Sequence, residues 1–216
     1  MKFFELKVFR QPIDKNQYTR YDYSVPKYFQ WGGEIMSTAL IIVDIQNDYF
    51  QNGKMELVNP DKAAANAAKV LEHFRKNNKE NIFHVQHIAA DPAMGFFLPD
   101  TEGAEIHETV QPLENESIII KHFPNSFLQT DLESKLRENG VTKVVVLGMM
   151  THMCIDATVR AAVDLGFETT LIEDACATLD LSYEGKVVPA EQVHYAFVGA
   201  VNGMYCAVTS TEDFLK

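Results

Sequence analysis

The chain has 216 residues, 46% of them hydrophobic, and its 19 basic and 30 acidic residues give a formal net charge of −11. This length is sufficient for one substantial core, so we expect a single globular domain with at most a short appendage. Because the sequence contains no run of Lys or Arg, we expect no nucleic-acid partner. No segment is long and apolar enough to span a bilayer, so we expect no membrane partner.

The three cysteines indicate a reducing compartment. Cys154, Cys176 and Cys206 are odd in number, widely spaced and without a CxxC pair. The N-terminal sequence MKFFELKVFR interrupts its apolar residues with charged ones, so it lacks the apolar core of a signal peptide. We therefore expect a cytoplasmic protein with reduced thiols.

Residues 1–37 differ from the rest of the chain and are assigned as an N-terminal extension, with residues 38–216 as the main domain. The stretches FFELKVF and YTRYDYSV alternate partly between apolar and polar residues, which favours a hairpin or an arm that packs on a neighbouring subunit. An equally weighted alternative is that natural translation starts at Met36, because the codons for residues 31–34 would resemble a ribosome-binding site.

From Thr38 onward, short β-branched runs alternate with helical periods. This alternation is typical of an α/β fold in which helices cover both faces of a mainly parallel sheet. Six runs are predicted to form one sheet, at residues 39–44, 82–87, 117–121, 143–148, 168–173 and 205–210.

Four helices are predicted between these strands. Two have apolar faces, formed by Ala63, Ala67, Val70 and Phe74 in one case and by Leu128, Leu132 and Leu136 in the other. Thr130 and Glu133 resemble a capping box for the second helix. The third helix follows the sequence THMC and ends near Gly166, and the fourth begins at Pro189.

The connections at residues 88–116 and 174–188 are unusually long for a compact domain. Loops of this length are usually lids or pocket walls, with disorder as the alternative. Phe96, Phe97, Phe123 and Phe127 lie in or beside the predicted loops, which suggests an apolar pocket wall. Plain core packing is an equally weighted interpretation of each.

Three ionisable residues are predicted to meet at one edge of the sheet. Open parallel sheets bind ligands beyond the carboxyl ends of their strands. Asp44 ends the first predicted strand, Lys121 ends the third, and Cys154 follows the fourth. A single cysteine near a strand end is more often an inert hydrophobe, and strand-terminal charges often only meet solvent. The joint placement of the three residues favours a catalytic site.

The position of Cys154 suggests an activated thiol. If Thr151 is the N-cap of the following helix, Cys154 lies in the first turn, where free main-chain N–H groups and a nearby Lys lower a thiol pKa. Asp44 would accept the thiol proton and later activate water, while Lys121 stabilises negative charge. Main-chain N–H groups around Met150 and Cys154 would supply an oxyanion hole. Cys176 and Cys206 are interpreted as structural.

The sequence resembles the isochorismatase-like cysteine hydrolases in three blocks that occur in the right order. These are ALIIVDIQNDYF, SIIIKHFPNSF and VVVLGMMTHMCIDATVRAAVDLGF, which contain Asp44, Lys121 and Cys154. The resemblance implies a doubly wound sheet of order 3-2-1-4-5-6, a catalytic set formed by these three residues, and a homo-oligomer. It also implies a cis peptide bond between Met149 and Met150.

The resemblance further implies hydrolysis of an amide, carbamoyl or lactam-like C–N bond through a thioester. Isochorismatases proper cleave a vinyl ether and lack the cysteine, which this chain retains. Nicotinamidases in the family bind a metal through a DWH-like block, whereas this chain reads VQHIAADPAMGFF there. We therefore expect neither a metal nor another cofactor. The candidate substrate-binding residues are Gln46, His87, Phe96, Phe123, Phe127 and Thr151, and the expected partner is a small-molecule substrate.

Two functions of other classes remain open. A nucleotide-binding or redox protein is disfavoured because no GxGxxG or GxxxxGK follows the first strand, where the sequence reads DIQNDYFQNG. A catalytically silent or ligand-binding scaffold with the same fold is the alternative hypothesis, because a fold alone does not determine function.

Overall fold

The computed structural model describes residues 37–77 and 81–216. These residues belong to the second of the two units into which the chain divides, Trp31–Lys216. The hairpin or arm predicted for residues 1–37 lies outside the described residues, except for Ser37, which begins the first strand. No described helix is long and apolar enough to cross a membrane.

Eight strands occur in the described part of the chain. They are β1 (Ser37–Val43), β2 (Ile82–His87), β3 (Ser117–Lys121), β4 (Val141–Met149), β5 (Glu168–Ala177), β6 (Leu181–Tyr183), β7 (Lys186–Val188) and β8 (Ala207–Thr209). Six of them form a parallel sheet of order β3-β2-β1-β4-β5-β8. This confirms the predicted order 3-2-1-4-5-6, because β8 is the sixth strand of the sheet along the chain.

The strands are apolar on both faces because helices cover both sides of the sheet. In the central strand β1, Leu40 and Ile42 belong to one buried cluster, while Ala39, Ile41 and Val43 belong to the other. Continuous β-branched runs of this kind are typical of strands that are buried on both faces. The two clusters are the two halves of the core.

Five α-helices are described: α1 (Pro60–Asn77), α2 (Leu132–Glu138), α3 (Asp156–Asp164), α4 (Ala190–Val201) and α5 (Thr211–Phe214). The predicted face of α1 is buried in one half of the core, where its residues are Ala63, Ala67, Val70 and Phe74. Leu132 and Leu136 of α2 and Val159 and Ala162 of α3 pack into the other half. The helices therefore lie on opposite faces, as a doubly wound sheet requires.

The start of α2 differs from the prediction. The helix begins at Leu132, so Leu128 lies before it and is 45% exposed. The predicted capping box is absent because the Thr130 hydroxyl donates to the carbonyl of Ser126, and Asp131 occupies the N-cap position. The spacing of the three leucines suggested a longer helix than the chain forms.

The two long connections are built from short regular elements. Residues 88–116 contain three 3-10 turns, at Pro92–Met94, Glu102–Ala104 and Glu108–Val110. In the second connection, β5 extends to Ala177, and β6 and β7 form an antiparallel hairpin that the sequence analysis did not predict. Glu184 and Gly185 have positive φ angles of 48° and 74°, which suits a tight two-residue hairpin turn.

Candidate active site

Three strands of the sheet deliver the predicted catalytic residues to one edge. Asp44 directly follows β1, Lys121 is the last residue of β3, and Cys154 lies in a π-helical turn, Thr151–Ile155, that follows β4. Asp44 and Lys121 are fully buried and Cys154 is 4% exposed. Residues that lie far apart in the sequence therefore form one buried cluster.

The ammonium of Lys121 is the centre of this cluster. Its Nζ lies 2.8 Å from Asp44 Oδ2, 3.0 Å from His87 Nδ1 and 3.2 Å from Cys154 Sγ. It also lies 3.0 Å from the carbonyl oxygen of Phe123 and 3.4 Å from that of Pro124. An ammonium has only three N–H donors. With five neighbouring acceptors, Lys121 is held firmly in its charged form.

The charges of the cluster determine where its protons reside. Burial alone would lower the pKa of Lys121, but the charge of Asp44 and the hydrogen bonds to Asp44 and Cys154 outweigh it and raise that pKa. Burial raises the pKa of Asp44, although Lys121 opposes the rise. A single buried cation can balance only one anion, and a free carboxyl is a much stronger acid than a free thiol. The resting site therefore holds a carboxylate, an ammonium and a neutral thiol.

The sequence predicted a lowered pKa for Cys154, and this prediction was wrong, because the pKa is raised. Burial raises the pKa of the Cys154 thiol, the negative charge of Asp44 raises it further, and Lys121 only partly opposes them. A helix terminus lowers a thiol pKa where solvent or a cation can stabilise the thiolate. Here the ammonium of Lys121 is already paired with the carboxylate of Asp44. The carboxylate of Asp44 forms a side-chain hydrogen bond with Cys154, so it is the base that adjoins the thiol proton.

The turn that carries Cys154 also differs from the expected helix start. Thr151 does not cap it; its hydroxyl lies 3.3 Å from the carbonyl oxygen of Ala177 and 3.0 Å from His194 Nδ1. The carbonyl of Met150 instead accepts the main-chain N–H groups of residues 153 and 155. The peptide bond between Met149 and Met150 is cis. The buried Thr151 side chain therefore connects the turn to the end of β5 and to α4.

A metal would compete with Lys121 for the same ligands. Among the described residues, Asp44, His87 and Cys154 each place one ligand atom within 4.8 Å of the other two. Carboxylate, imidazole and thiol are suitable zinc ligands. The ammonium already contacts all three side chains, however, and a second cation would be repelled. The arrangement fits the charged lysine and does not fit an added metal ion.

Gln46 occupies a structural position although it was a candidate substrate-binding residue. Its Oε1 accepts the main-chain N–H of His87 at 2.8 Å, and its Nε2 donates to the carbonyls of His87 at 2.9 Å and Ala104 at 2.7 Å. All its principal hydrogen-bonding groups are therefore used. Through these hydrogen bonds, Gln46 connects the end of β1 to the end of β2 and to the long connection at residues 88–116.

The aromatic candidates lie in different environments. The ring of Phe96 lies 5.0 Å from that of Phe97, which neighbours His87, and 6.2 Å from that of Tyr49. Phe123 is 38% exposed. Phe127, by contrast, stacks on Phe167, which directly precedes β5 at the opposite edge of the sheet. The structure therefore makes Phe127 a packing residue, which is the core interpretation that the sequence left open.

Comparison with known proteins gives the family. The model of the isochorismatase domain matches residues 38–213, which is most of the chain. The chain belongs to the isochorismatase family. Its members are hydrolases, and the match includes Asp44, Lys121, Cys154 and all of the sheet except Ser37.

Three relatives are similar to this chain over four fifths or more of their own lengths. The uncharacterized isochorismatase family protein YddQ of Bacillus subtilis is 61% identical over 84% of this chain and 100% of its own length. A solved structure from Oleispira antarctica, described as an isochorismatase hydrolase, has a TM-score of 0.80 and 45% identity, and the match covers 85% of this chain and 98% of that one. Ureidoacrylate amidohydrolase RutB of Acinetobacter baylyi is 26% identical over 83% of this chain and 82% of its own.

Two features of this isochorismatase-family site escaped the sequence analysis. Asp48 accepts the main-chain N–H of Phe97 at 2.6 Å and so holds the long connection over the site. Behind the Cys154 turn, His194 lies 3.0 Å from the hydroxyl of Thr151 and 3.4 Å from a carboxylate oxygen of Glu173. Neither contact follows a short-range pattern, so only the folded chain reveals them.

Proposed function

We propose that this chain hydrolyses a C–N bond of a small amide, carbamoyl or lactam-like substrate through a thioester on Cys154. The observation that carries the proposal is the buried contact of one ammonium, Lys121, with both the Asp44 carboxylate and the Cys154 thiol. This contact lies at the sheet edge where parallel folds bind ligands. The similarity to RutB, a ureidoacrylate amidohydrolase, supports the same class of reaction.

The first half-reaction begins with proton transfer inside the cluster. Asp44 accepts the thiol proton as Cys154 Sγ attacks the carbonyl carbon of the substrate. The anion moves from carboxylate to sulfur beside the same ammonium, so Lys121 continues to balance it. Main-chain N–H groups of Met150 and Cys154 stabilise the oxyanion. When the C–N bond breaks, Asp44 returns its proton to the leaving nitrogen, and the acyl group stays on sulfur.

Water completes the cycle through the same groups. Asp44 takes a proton from the water that attacks the thioester carbon. The bond between carbon and sulfur then breaks, the sulfur regains its proton from Asp44, and the carboxylic acid leaves. None of these steps consumes a dissociable cofactor. Phe96 and Phe123 would form the apolar wall of the substrate site, where both lie beside the catalytic edge.

The direct test is the hydrolytic activity of Cys154→Ala on a panel of small C–N compounds. The panel contains ureidoacrylate, an N-carbamoyl amino acid, nicotinamide and a lactam, with products measured by mass spectrometry. We expect a loss of about a thousandfold or more in kcat/KM, as for other covalent nucleophiles. Cys206→Ala is the matched control, because that thiol is also buried and its Sγ contacts the carbonyl oxygen of Val201 at the end of α4. Equal activity of Cys154→Ala and the parent would overturn the proposal.

A catalytically silent scaffold is the second candidate function. The observation in its favour is that Cys154 is 4% exposed and carries a raised pKa, as an inert core thiol would. Under this hypothesis Cys154 would react with alkylating reagents no faster than the buried Cys176. A faster reaction at Cys154 favours the hydrolase.

Two further properties are proposed with the function. A homo-oligomer is proposed from the family, and sedimentation velocity measures its size. A cytoplasmic location is proposed because the described residues contain three free cysteines and no disulfide. Fractionation of the native host would test the location.

A further inference from the structure

The tautomer of His87 is determined by its neighbour. His87 ends β2, is 5% exposed, and places Nδ1 3.0 Å from Lys121 Nζ. An ammonium only donates hydrogen bonds, so Nδ1 must be the accepting nitrogen, without a proton. Burial, together with the charge of Lys121, lowers the pKa of His87 to about 3, so the ring is neutral at pH 7. The ring proton therefore resides on Nε2.

This Nε2–H is a buried donor that the described residues leave without an acceptor. Within residues 37–77 and 81–216, no hydrogen-bond partner lies at Nε2. The great majority of buried polar groups in proteins are paired. Asp44, His87 and Cys154 place ligand atoms within 4.8 Å of one another. A molecule that reaches the thiol therefore also reaches the His87 ring.

We propose that His87 binds the substrate through Nε2–H and selects compounds with a hydrogen-bond acceptor on the atom next to the carbon that Cys154 attacks. A 2-oxo amide or an oxamic acid derivative presents such an acceptor on the adjacent carbon, whereas a simple alkyl amide does not. The inference rests on the proposed function, because it requires a substrate carbon at Cys154. It adds a specificity-determining residue that does not take part in proton transfer.

Two substitutions separate the two nitrogens of the ring. In His87→Asn, the carboxamide oxygen can replace Nδ1 as the acceptor for Lys121, while the donor at Nε2 is lost. In His87→Gln, the longer side chain can place an amide N–H near the position of Nε2, while the acceptor for Lys121 is lost. The pair therefore distinguishes substrate binding from an effect transmitted through Lys121. Urea unfolding of each variant reports whether the fold is retained.

The experiment measures the alkylation rate of Cys154 at one pH with two reagents, resolved by peptide mass spectrometry. Iodoacetamide carries a carbonyl next to the carbon that the thiol attacks, and iodoethane carries no acceptor. We expect His87→Asn to lower the iodoacetamide rate about tenfold, the effect of one hydrogen bond, and to leave the iodoethane rate unchanged. His87→Gln should retain most of the preference for iodoacetamide.

The outcomes separate the inference from the proposed function. If wild-type Cys154 reacts with neither reagent, both the nucleophile and the role of His87 fail. If wild-type Cys154 reacts but His87→Asn slows both reagents equally, His87 acts only through Lys121, and the inference alone is overturned. An unchanged iodoacetamide rate in His87→Asn would overturn it as well.

Discussion

The single ammonium of Lys121 contacts two acids and can balance the charge of only one. Asp44 is the stronger acid and is therefore ionised, so Cys154 remains a neutral thiol in the resting site. Under the proposed mechanism, activation of Cys154 requires one proton to move from the thiol to Asp44 beside the fixed ammonium of Lys121. This differs from a site that stores a preformed thiolate, and the difference can be measured.

Removing the charge of Asp44 should make Cys154 more reactive while it abolishes hydrolysis. Asp44 raises the pKa of Cys154, so Asp44→Asn lets Lys121 stabilise the thiolate instead. We expect alkylation of Cys154 by iodoacetamide at pH 7 to accelerate by roughly tenfold, the effect of one pKa unit. In the parent, the rate should still be rising with pH above the usual thiol range. Slower alkylation in Asp44→Asn would contradict this view of the site.

Breaking the buried ion pair should destabilise the fold. Lys121→Met leaves the Asp44 carboxylate buried without its cation, which typically costs about 3 to 5 kcal/mol in the free energy of unfolding. Urea titration measures the loss. The double variant Asp44→Asn, Lys121→Met contains no unpaired charge and should recover part of it. A double variant as unstable as the sum of the single changes would show that the two residues are not coupled.

At this scale the sequence predicted which side chains would meet at the sheet edge but not the protonation of the thiol. Asp44, Lys121 and Cys154 could be found because strand ends of a parallel sheet share one edge. The direction of the thiol pKa could not, because it depends on complete burial and on which acid holds the lysine. The role of Gln46 likewise depends on a carbonyl at Ala104, 58 residues away.

Among the elements, β4 needs a glycine where it passes β1. Gly148 has a φ of 129°, and a Cβ there would collide with the main chain of Val43. We expect Gly148→Ala to lower the free energy of unfolding by about 2 to 4 kcal/mol. Gly199 in α4 is the control, since its Cβ would meet open space. Gly199→Ala should stabilise by about 0.5 to 1 kcal/mol, and equal effects of the two changes would refute the steric account.

A buried charge cluster ties the start of β3 to α1 and β2. Glu116 lies 2.7 Å from Arg75 Nε and 2.8 Å from His84 Nε2. Burial alone would raise the pKa of Glu116, but hydrogen bonds from Arg75, the main-chain N–H of Leu113 and His84 lower it to about 2. A depressed carboxyl pKa contributes stability above the unfolded value, and that stability is lost as the pH falls.

Glu116→Gln should therefore weaken the fold in neutral solution and change its response to acid. We expect a loss of about 2 to 3 kcal/mol at pH 7, because charge-assisted hydrogen bonds disappear. Between pH 4.5, the ordinary value for a glutamate, and about pH 2, the wild-type chain should lose stability more steeply than the variant. Urea midpoints at several pH values test this, and parallel curves for the two chains would refute it.

The elements themselves were largely predictable. The β-branched runs located all six strands of the sheet, because strands buried on both faces have a simple composition. The start of α2 was missed because the Thr130 hydroxyl bonds backward to Ser126. The hairpin of β6 and β7 was missed because its three-residue strands are too short to show alternation.

For the whole molecule, the described residues contain the six-stranded sheet, two buried core clusters and the contacts among Asp44, Lys121 and Cys154. We expect a chain that begins at Met36 to fold and to keep the alkylation rate of Cys154. The match to YddQ covers 181 residues and the whole of that protein, which equals the number of residues from Met36 to Lys216. Thermal unfolding and alkylation of the shortened chain are the measurements. If the shortened chain failed to fold or its Cys154 were alkylated at a different rate, residues 1–35 would be required for the fold or for the site.

The most direct test of the central claim is the mass of the protein during hydrolysis of p-nitrophenyl acetate, followed by rapid acid quenching and peptide mapping. We expect an acetyl group on Cys154 that appears and then decays, with none on Cys176 or Cys206. Cys154→Ala should form no such adduct although it remains folded. Turnover of the ester at the same rate in Cys154→Ala, or an acetyl group that accumulates on another residue, would contradict the assignment of Cys154 as the nucleophile.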